Sequence, residues 1–328
     1  MVSKIDQRKT PGSLTEIYRS ISNELVMVEE ELVNIIKGFS FPATQEALEY
    51  FFRIPGKRLR PALLILSARA AGYPSMAAGD NSAEGSDSSI SAFTSMSSSM
   101  TAENNSNMDS GNSFPNIASG CVSMAADYDI VRMAAAVELI HAASLVHDDI
   151  IDEDAFRRGQ KTLNNVYGNK IAVLAGDALY SRAFLIISSQ YPRDFMQLIT
   201  SLTEHMSMAE IERVKGDDSS CSRDMYYRLI KGKTALFTAY CCRLGASLAT
   251  DDEQTISAFE DFGMNFGMTY QLIDDLLDKD PLAVMHTGPE EPFKFAEQAR
   301  VSLAKISDSP YKASLLGMID YILGLLNR

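Results

Sequence analysis

Residues 125–152 read AADYDIVRMAAAVELIHAASLVHDDIID, and this stretch decides the fold. From Ala125 to Ile151 the apolar residues fall on nearly every side of a helix. A helix that is apolar all round belongs in the middle of a protein, so the segment predicts a central helix packed by others. It closes in acid, with His147-Asp148-Asp149-Ile150-Ile151-Asp152. Asp148 and Asp152 are one turn apart, so on a helix they share a face and both carboxylates can reach one ion cluster.

Outward from this helix the same periodicity recurs. Leu14 to Ile36 is amphipathic, with Ile17, Ile21, Leu25, Val28 and Leu32 at mixed three- and four-residue steps. Pro61 to Ala71 is apolar and follows the chain-breaking Pro55-Gly56; Ile171 to Ser188, Met225 to Leu248 and Ile256 to Leu277 repeat the pattern. No alternation of period two is evident. The predicted fold class is all-α, one domain over residues 1–328. The exception is Ser75 to Ser123, dense in Ser, Asn, Gly and Met, with too few large aliphatics to offset the entropy of ordering. It predicts a disordered insertion between two core helices.

The chain has 328 residues, of which 46% are hydrophobic, enough for a sizeable core. Thirty Lys and Arg against 43 Asp and Glu give a formal net charge of −13. That balance excludes general nucleic-acid binding, which needs a basic field to displace counterions. It also makes any local cationic cluster more informative. Cys121, Cys221, Cys241 and Cys242 show neither zinc-ligand spacing nor a disulfide framework, which fits a reducing cytoplasm. Met1 to Pro11 lacks an apolar signal core, no prenylation box closes the chain, and no uninterrupted apolar run predicts a membrane span.

The acidic motif returns at Asp274-Asp275-Leu276-Leu277-Asp278, again ending an apolar helix, one that carries Phe266, Tyr270 and Ile273. One acidic triplet at a helix end is ordinarily a solvated face. Two copies far apart in sequence are harder to explain that way. Carboxylates at a helix C-terminus also oppose the macrodipole, a cost that cation binding offsets. Hard oxygen donors on helices suit Mg²⁺ holding a phosphate. The pair predicts two acidic walls facing one cavity.

Cationic clusters complete the pattern. Gly56-Lys57-Arg58-Leu59-Arg60-Pro61 sits at a chain break, Arg157-Arg158-Gly159 follows the first motif, and Lys231-Gly232-Lys233-Thr234 lies in a helical run. Guanidinium groups match phosphate oxygens in pairs, and lysine adds a point charge. Gly232-Lys233-Thr234 is not a nucleotide-binding loop, because Tyr227 stands where its other glycine is needed and no strand precedes it.

Five runs, GKRLRP (56–61), ELIHAASLVHDDIIDEDAFRRG (138–159), GNKIAVLAGDALYSRAF (168–184), KGKTA (231–235) and YQLIDDLLD (270–278), resemble the trans-type (all-E) polyprenyl diphosphate synthases, in that family's order. The resemblance implies an isoprenoid-synthase-type helical bundle around a deep central cavity, normally dimeric. It implies that three Mg²⁺ help an allylic diphosphate ionise, that isopentenyl diphosphate attacks the cation, and that a proton is then lost. By motif position, Asp148, Asp152 and Asp274 would be the principal metal ligands, with Asp149, Asp275 and Asp278 supporting. Arg157, Lys233, Thr234 and Gln271 would contact the allylic diphosphate or its metals. Lys57, Arg60, His141 and Arg158 would hold isopentenyl diphosphate, and His147 would be structural.

In that family, bulk on the helix before the first motif stops the growing tail. Ala143 stands at the first floor position, with Ile140 and Leu139 upstream. One helical turn rises about 5.4 Å, roughly an isoprene unit, so the small residue predicts a product of ~20 to 35 carbons. The chain departs from the family pattern at Lys161 (usually Pro) and Tyr270 (usually Phe), and after Asp278, where a lysine-rich loop is expected. That last departure keeps open a weakly active or regulatory subunit of a heteromeric synthase. A terpene cyclase would share the first motif but not the second triplet or the Lys57/Arg60/His141 group.

Overall fold

The computed structural model describes residues 13–74, 122–216 and 221–327. Of the expected insertion, residues 75–121 lie outside the described residues, while Val122 and Ser123 already belong to the helix that follows. The helices are α1 (Leu14–Ile17), α2 (Ser22–Lys37), α3 (Pro42–Phe52), α4 (Leu59–Ala70), α5 (Val122–Ile151), α6 (Leu163–Tyr167) and α7 (Asn169–Gln190). They continue with α8 (Arg193–Lys215), α9 (Arg223–Ile230), α10 (Leu236–Ala249), α11 (Glu253–Asp278), α12 (Pro281–His286), α13 (Glu291–Ser302) and α14 (Pro310–Leu323). Among the described residues the one β ladder is a hairpin pairing Phe156–Arg157 with Gln160–Lys161. The all-α expectation holds, and the shared architecture of solved neighbours, given below, agrees with it.

The central helix is α5, 30 residues and so about 45 Å long. Its residues from Met133 to Ile140 are all buried, as a helix apolar on every face requires. It packs against α2, α4 and α7. On the other side α10 is sandwiched between α4 and α11, and α13 lies along α11. Both acidic motifs therefore sit at the ends of core helices rather than on loops, which gives their carboxylates fixed positions.

Local signals start and stop these helices. Asp252 accepts from the backbone N–H groups of Gln254 and Thr255 at the start of α11, and Ser222 does the same for α9 through Met225. Proline opens α3, α12 and α14, where its missing N–H costs nothing. Lys279, in the left-handed conformation, terminates α11 one residue after Asp278.

The single helix expected from Met225 to Leu248 is three elements: α9, a π-helical turn over Lys231–Ala235, and α10. Such turns insert a residue into the helical ladder and re-aim the side chains around it. Six further helices, α3, α6, α8, α12, α13 and α14, lay outside the periodic runs singled out from the sequence. Among the described residues two helices are long and apolar enough to cross a membrane by length and composition, Tyr128–Ile151 and Asn169–Gln190. The window in the first is 72% buried, so its apolarity belongs to the core, whereas that in α7 is 39% buried. The exposed apolar residues of α7 include Ile171, Leu174 and Leu185.

Candidate active site

The two aspartate motifs meet. A cavity of about 840 Å³ is lined by Asp148 and Asp152 from the end of α5 and by Asp274 and Asp278 from the end of α11. The same lining holds Arg60, His141, Arg157, Lys233, Thr234 and Gln271. Side chains from α4, α5, the hairpin, the π-turn and α11 thus reach one space, although they span most of the sequence.

Two acids of the motifs face elsewhere. Asp149 is 1% exposed and accepts from Arg157 Nε at 2.5 Å, while Asn164 donates to its backbone carbonyl at 3.2 Å. Burial pushes its carboxyl up and Arg157 opposes the shift. Asp149 is thereby the anchor that holds Arg157 toward the cavity. Asp275 accepts from Tyr226 at 2.7 Å on one oxygen and from Gln271 Nε2 at 2.6 Å on the other. Gln271 in turn accepts from Thr234 at 2.7 Å, so Asp275, Gln271 and Thr234 form one relay between α11 and the π-turn. The turn and α11 approach closely at Gly267, where an added Cβ would lie 2.6 Å from the Cα of Ala235.

Two of the cavity aspartates, one on each wall, are perturbed in the same direction. Burial raises Asp148 above its ordinary value of 3.8, with the Lys233 ammonium opposing. Burial likewise raises Asp274, and repulsion from Asp278 adds to it, while Lys57 pulls the other way. Among the described residues the side chains of Asp274 and Asp278 have no ion-pair or hydrogen-bond partner. Confined carboxylates that repel one another are a donor set short of positive charge, and hard divalent cations fit it. Among the described residues no three such side chains crowd closely enough to enclose an ion alone. The arrangement therefore suits Mg²⁺, which takes one or two carboxylates and completes its octahedron with phosphate oxygens and water.

A basic group adjoins the acids. Arg60 Nη1 lies 3.0 Å from His141 Nε2, and the Arg60 guanidinium stacks over Phe237 at 4.7 Å. Arginine can only donate, so Nε2 of His141 carries the lone pair and Nδ1 the proton. Burial lowers the His141 pKa well below its ordinary 6.5, and the positive Arg60 adds to this, so the ring is neutral. Arg158 lies against Gly56, whose Cβ position would be 2.9 Å from the guanidinium nitrogens. Lys57 is exposed. Arg58, in a left-handed conformation and 5% exposed, pairs with Glu29 and with Glu138 of α5, pinning the 56–61 loop to the core.

Some lining residues carried no signal in the sequence. Lys233 Nζ lies 2.9 Å from Glu210 and 3.4 Å from Asp148, and Arg213 pairs with Glu210 and Asp152. Glu210 is 9% exposed. Burial favours its neutral form, but hydrogen bonds from Arg213 and Lys233 outweigh this and hold it below the usual range. Neither Glu210 nor Arg213 belongs to a motif or periodic run singled out in the sequence. Tyr180, Met206, Ser144 and Leu145 supply apolar and small surfaces. Ala143, Ile140 and Leu139, the positions read as the floor, are fully buried and do not line the cavity; Ser144 is the neighbour that does. His147, read as structural, approaches the Val173 carbonyl at 3.2 Å and also borders the cavity.

The sequence matches the family model described as "Polyprenyl synthetase" over residues 116–281. It is 30% identical over 277 residues to a probable mitochondrial hexaprenyl pyrophosphate synthase of Neurospora crassa, covering 79% of this chain and 58% of that protein. It is 30% identical over 284 residues to the heptaprenyl diphosphate synthase component 2 of Geobacillus stearothermophilus, covering 85% and 68%. The chain thus spans between 58% and 68% of the length of these two relatives. Its fold superposes on a decaprenyl diphosphate synthase from Rhodobacter capsulatus with a TM-score of 0.73 at 21% identity, covering 95% and 98% of the two chains. The family match, the coverage of the heptaprenyl relative and the paired aspartate helices around one cavity agree: this chain belongs to the polyprenyl synthetase family.

Proposed function

We propose that this protein condenses isopentenyl diphosphate with an allylic diphosphate to give an all-E polyprenyl diphosphate. The observation that carries the reading is the convergence of Asp148 and Asp152 with Asp274 and Asp278 on one cavity that also holds Arg60, Arg157, His141 and Lys233. Acids and bases in one space of about 840 Å³ fit a diphosphate bridged to carboxylates through cations. The relatives' names, which give hexaprenyl and heptaprenyl synthases, support the same substrate class.

In this reading Asp148, Asp152 and Asp274 hold Mg²⁺, three ions per site as the family resemblance implies, with Asp278 assisting. When bound, the metal supplies Lewis acidity and neutralises charge on the leaving diphosphate. Arg157 and Lys233 orient the allylic diphosphate, Arg157 set by Asp149, and Gln271 and Thr234 set by Asp275. Arg60, His141, Lys57 and Arg158 hold isopentenyl diphosphate. The allylic C–O bond breaks with its electron pair on diphosphate. The double bond of isopentenyl diphosphate supplies the electrons of the new C–C bond, and the departed diphosphate takes the proton lost. Apolar cavity surfaces such as Leu145, Ile151 and Met206 exclude the water that would quench the cation. A product of ~20 to 35 carbons is the length the family resemblance implies for a small residue before the first motif, and Ser144 is the small residue there that lines the cavity.

The outer face of α7, with Ile171, Leu174 and Leu185 exposed by 42%, 63% and 61%, is the surface we assign to a second subunit. Buried free thiols at Cys241 and Cys242, both held up by burial, fit a reducing, cytoplasmic setting. A heteromeric assembly is the second reading. It is favoured by the helix Pro281–His286, which follows Asp278 almost directly where a lysine-rich loop was expected, and by the relative named as a component.

The test is incubation of the purified full chain with Mg²⁺, isopentenyl diphosphate and allylic primers of several lengths, with product-length and native-mass analysis. Linear all-E products from the chain alone support the first reading. Products only after a second subunit is added favour the heteromer, and cyclised hydrocarbon or no diphosphate binding rejects both.

A further inference from the structure

The two acidic walls of the cavity differ in a way that their matching sequences conceal. At the first wall, five charges alternate in sign. Asp148 faces Lys233 at 3.4 Å, Lys233 faces Glu210 at 2.9 Å, Glu210 accepts from Arg213 Nε at 2.8 Å, and Arg213 Nη2 reaches Asp152. Three carboxylates are thus met by two cations supplied by the protein. At the second wall, among the described residues, neither Asp274 nor Asp278 has such a partner. Lys233 stands where the family resemblance already gives it a role. Arg213 does not: it comes from α8, a helix that contributes none of the five family runs.

We propose that Arg213 is a positioning residue that latches Asp152 while the cavity is empty, and so sets the affinity of the first wall for divalent cations. The inference rests on the metal reading of Asp148 and Asp152 given above. Arg213 Nη2 occupies Oδ1 of Asp152, so a cation that takes this oxygen as a ligand must displace the guanidinium. The Arg213 side chain is 39% exposed, so it can leave toward solvent, whereas Glu210 stays buried and keeps its second partner, Lys233. Nε and Nη2 of Arg213 both donate to Oε1 of Glu210, which holds the guanidinium over Asp152 in the meantime. The second wall has no such competitor, so it is the wall that accepts a cation first.

The experiment is Mn²⁺ binding to the full chain without diphosphate, by calorimetry and by paramagnetic resonance. Arg213→Gln should tighten binding by about threefold or more, the effect of removing one partly exposed ion-pair partner. Lys215→Gln removes the same charge from the same helix, at a position that lines the cavity, and should change affinity by less than about twofold. Adding Asp152→Asn to Arg213→Gln should abolish the gain. Arg213→Lys, which keeps the charge but not the fork, should give an intermediate affinity, and circular dichroism of each variant verifies folding. Equal affinities for wild type and Arg213→Gln, an equal gain from Lys215→Gln, or a gain that survives loss of Asp152 would overturn the latch. Absence of Mn²⁺ binding in wild type even with inorganic pyrophosphate would overturn the metal reading itself, and the latch with it.

Discussion

Arg60 Nη1 donates to His141 Nε2 across 3.0 Å, joining the first turn of α4 to α5. The contact fixes the imidazole tautomer, and burial beside a permanent cation keeps the ring neutral. Because the folded pKa lies below the ordinary 6.5, the unfolded chain binds the proton more readily than the folded one. Stability conferred by the neutral ring is therefore full above pH 6.5 and is lost as pH falls below it. His141→Gln should flatten the thermal stability between pH 7 and about pH 5.5 relative to wild type. It should also raise KM for isopentenyl diphosphate by about tenfold, the loss of one hydrogen-bonding partner in a charged site. Parallel pH–stability curves for the two proteins would contradict the assignment.

Asp148 and Asp274, the cavity aspartates that burial raises, work against folding when no cation is present. Asp274 is raised by burial and by Asp278, so its native form binds protons more readily than the unfolded chain. Its contribution is harmless below the ordinary 3.8 and becomes unfavourable as pH rises through the elevated value. Asp274→Asn should raise the metal-free Tm at pH 7 by about 1–3 °C, a figure kept small because the side chain is partly solvated. The gain should vanish in acid. The same variant should lose about a hundredfold or more in kcat. A lower Tm at pH 7 would show that Asp274 is stabilised by a partner other than a cation.

Chain length separates two neighbouring positions. Ser144 lines the cavity, whereas Ala143 is fully buried against the core. Ser144→Phe should shorten the longest product by at least one five-carbon unit. Ala143→Phe must displace core neighbours, at a cost of about 1–3 kcal/mol, and should shorten the product less. Product analysis that reverses this order would place the floor at Ala143, where the family resemblance put it.

The core has its own point of contact. Gly245 of α10 faces α4 so closely that an added Cβ would stand 2.1 Å from the Leu64 carbonyl oxygen and 3.2 Å from the Ala68 nitrogen. Both are backbone atoms, so neither can rotate away. Gly245→Ala should cost about 1–3 kcal/mol in denaturant unfolding, despite the higher helix propensity of alanine. A change under about 0.5 kcal/mol would mean that the helices separate freely.

Much of this was legible in the chain itself. The apolar run ending at Ile151 announced a core helix, because burial on all sides leaves no polar face to write into the sequence, and the one ending at Asp278 did so through its apolar stripe. The π-helical turn at Lys231–Ala235 was not legible, because its residues carry ordinary helical propensity and only packing against α8 and α11 sets the extra residue. Helix α8 was missed for a related reason. It carries none of the quoted motifs and lies outside the periodic runs, and Glu210 is buried there because two cations meet it.

Composition and periodicity thus determined that the chain is helical, that α5 is its centre, and that two acidic turns end core helices. Spacing alone also placed Asp148 with Asp152, since a helix repeats its face every turn. That the second triplet shares their cavity, that Asp149 and Asp275 turn away to hold Arg157 and Gln271, and that Arg213 grips Asp152 were decided by tertiary structure. The physical reason is distance along the chain: local rules govern neighbours within a turn, while side chains some 60 or 125 residues apart meet only where packing brings their helices together.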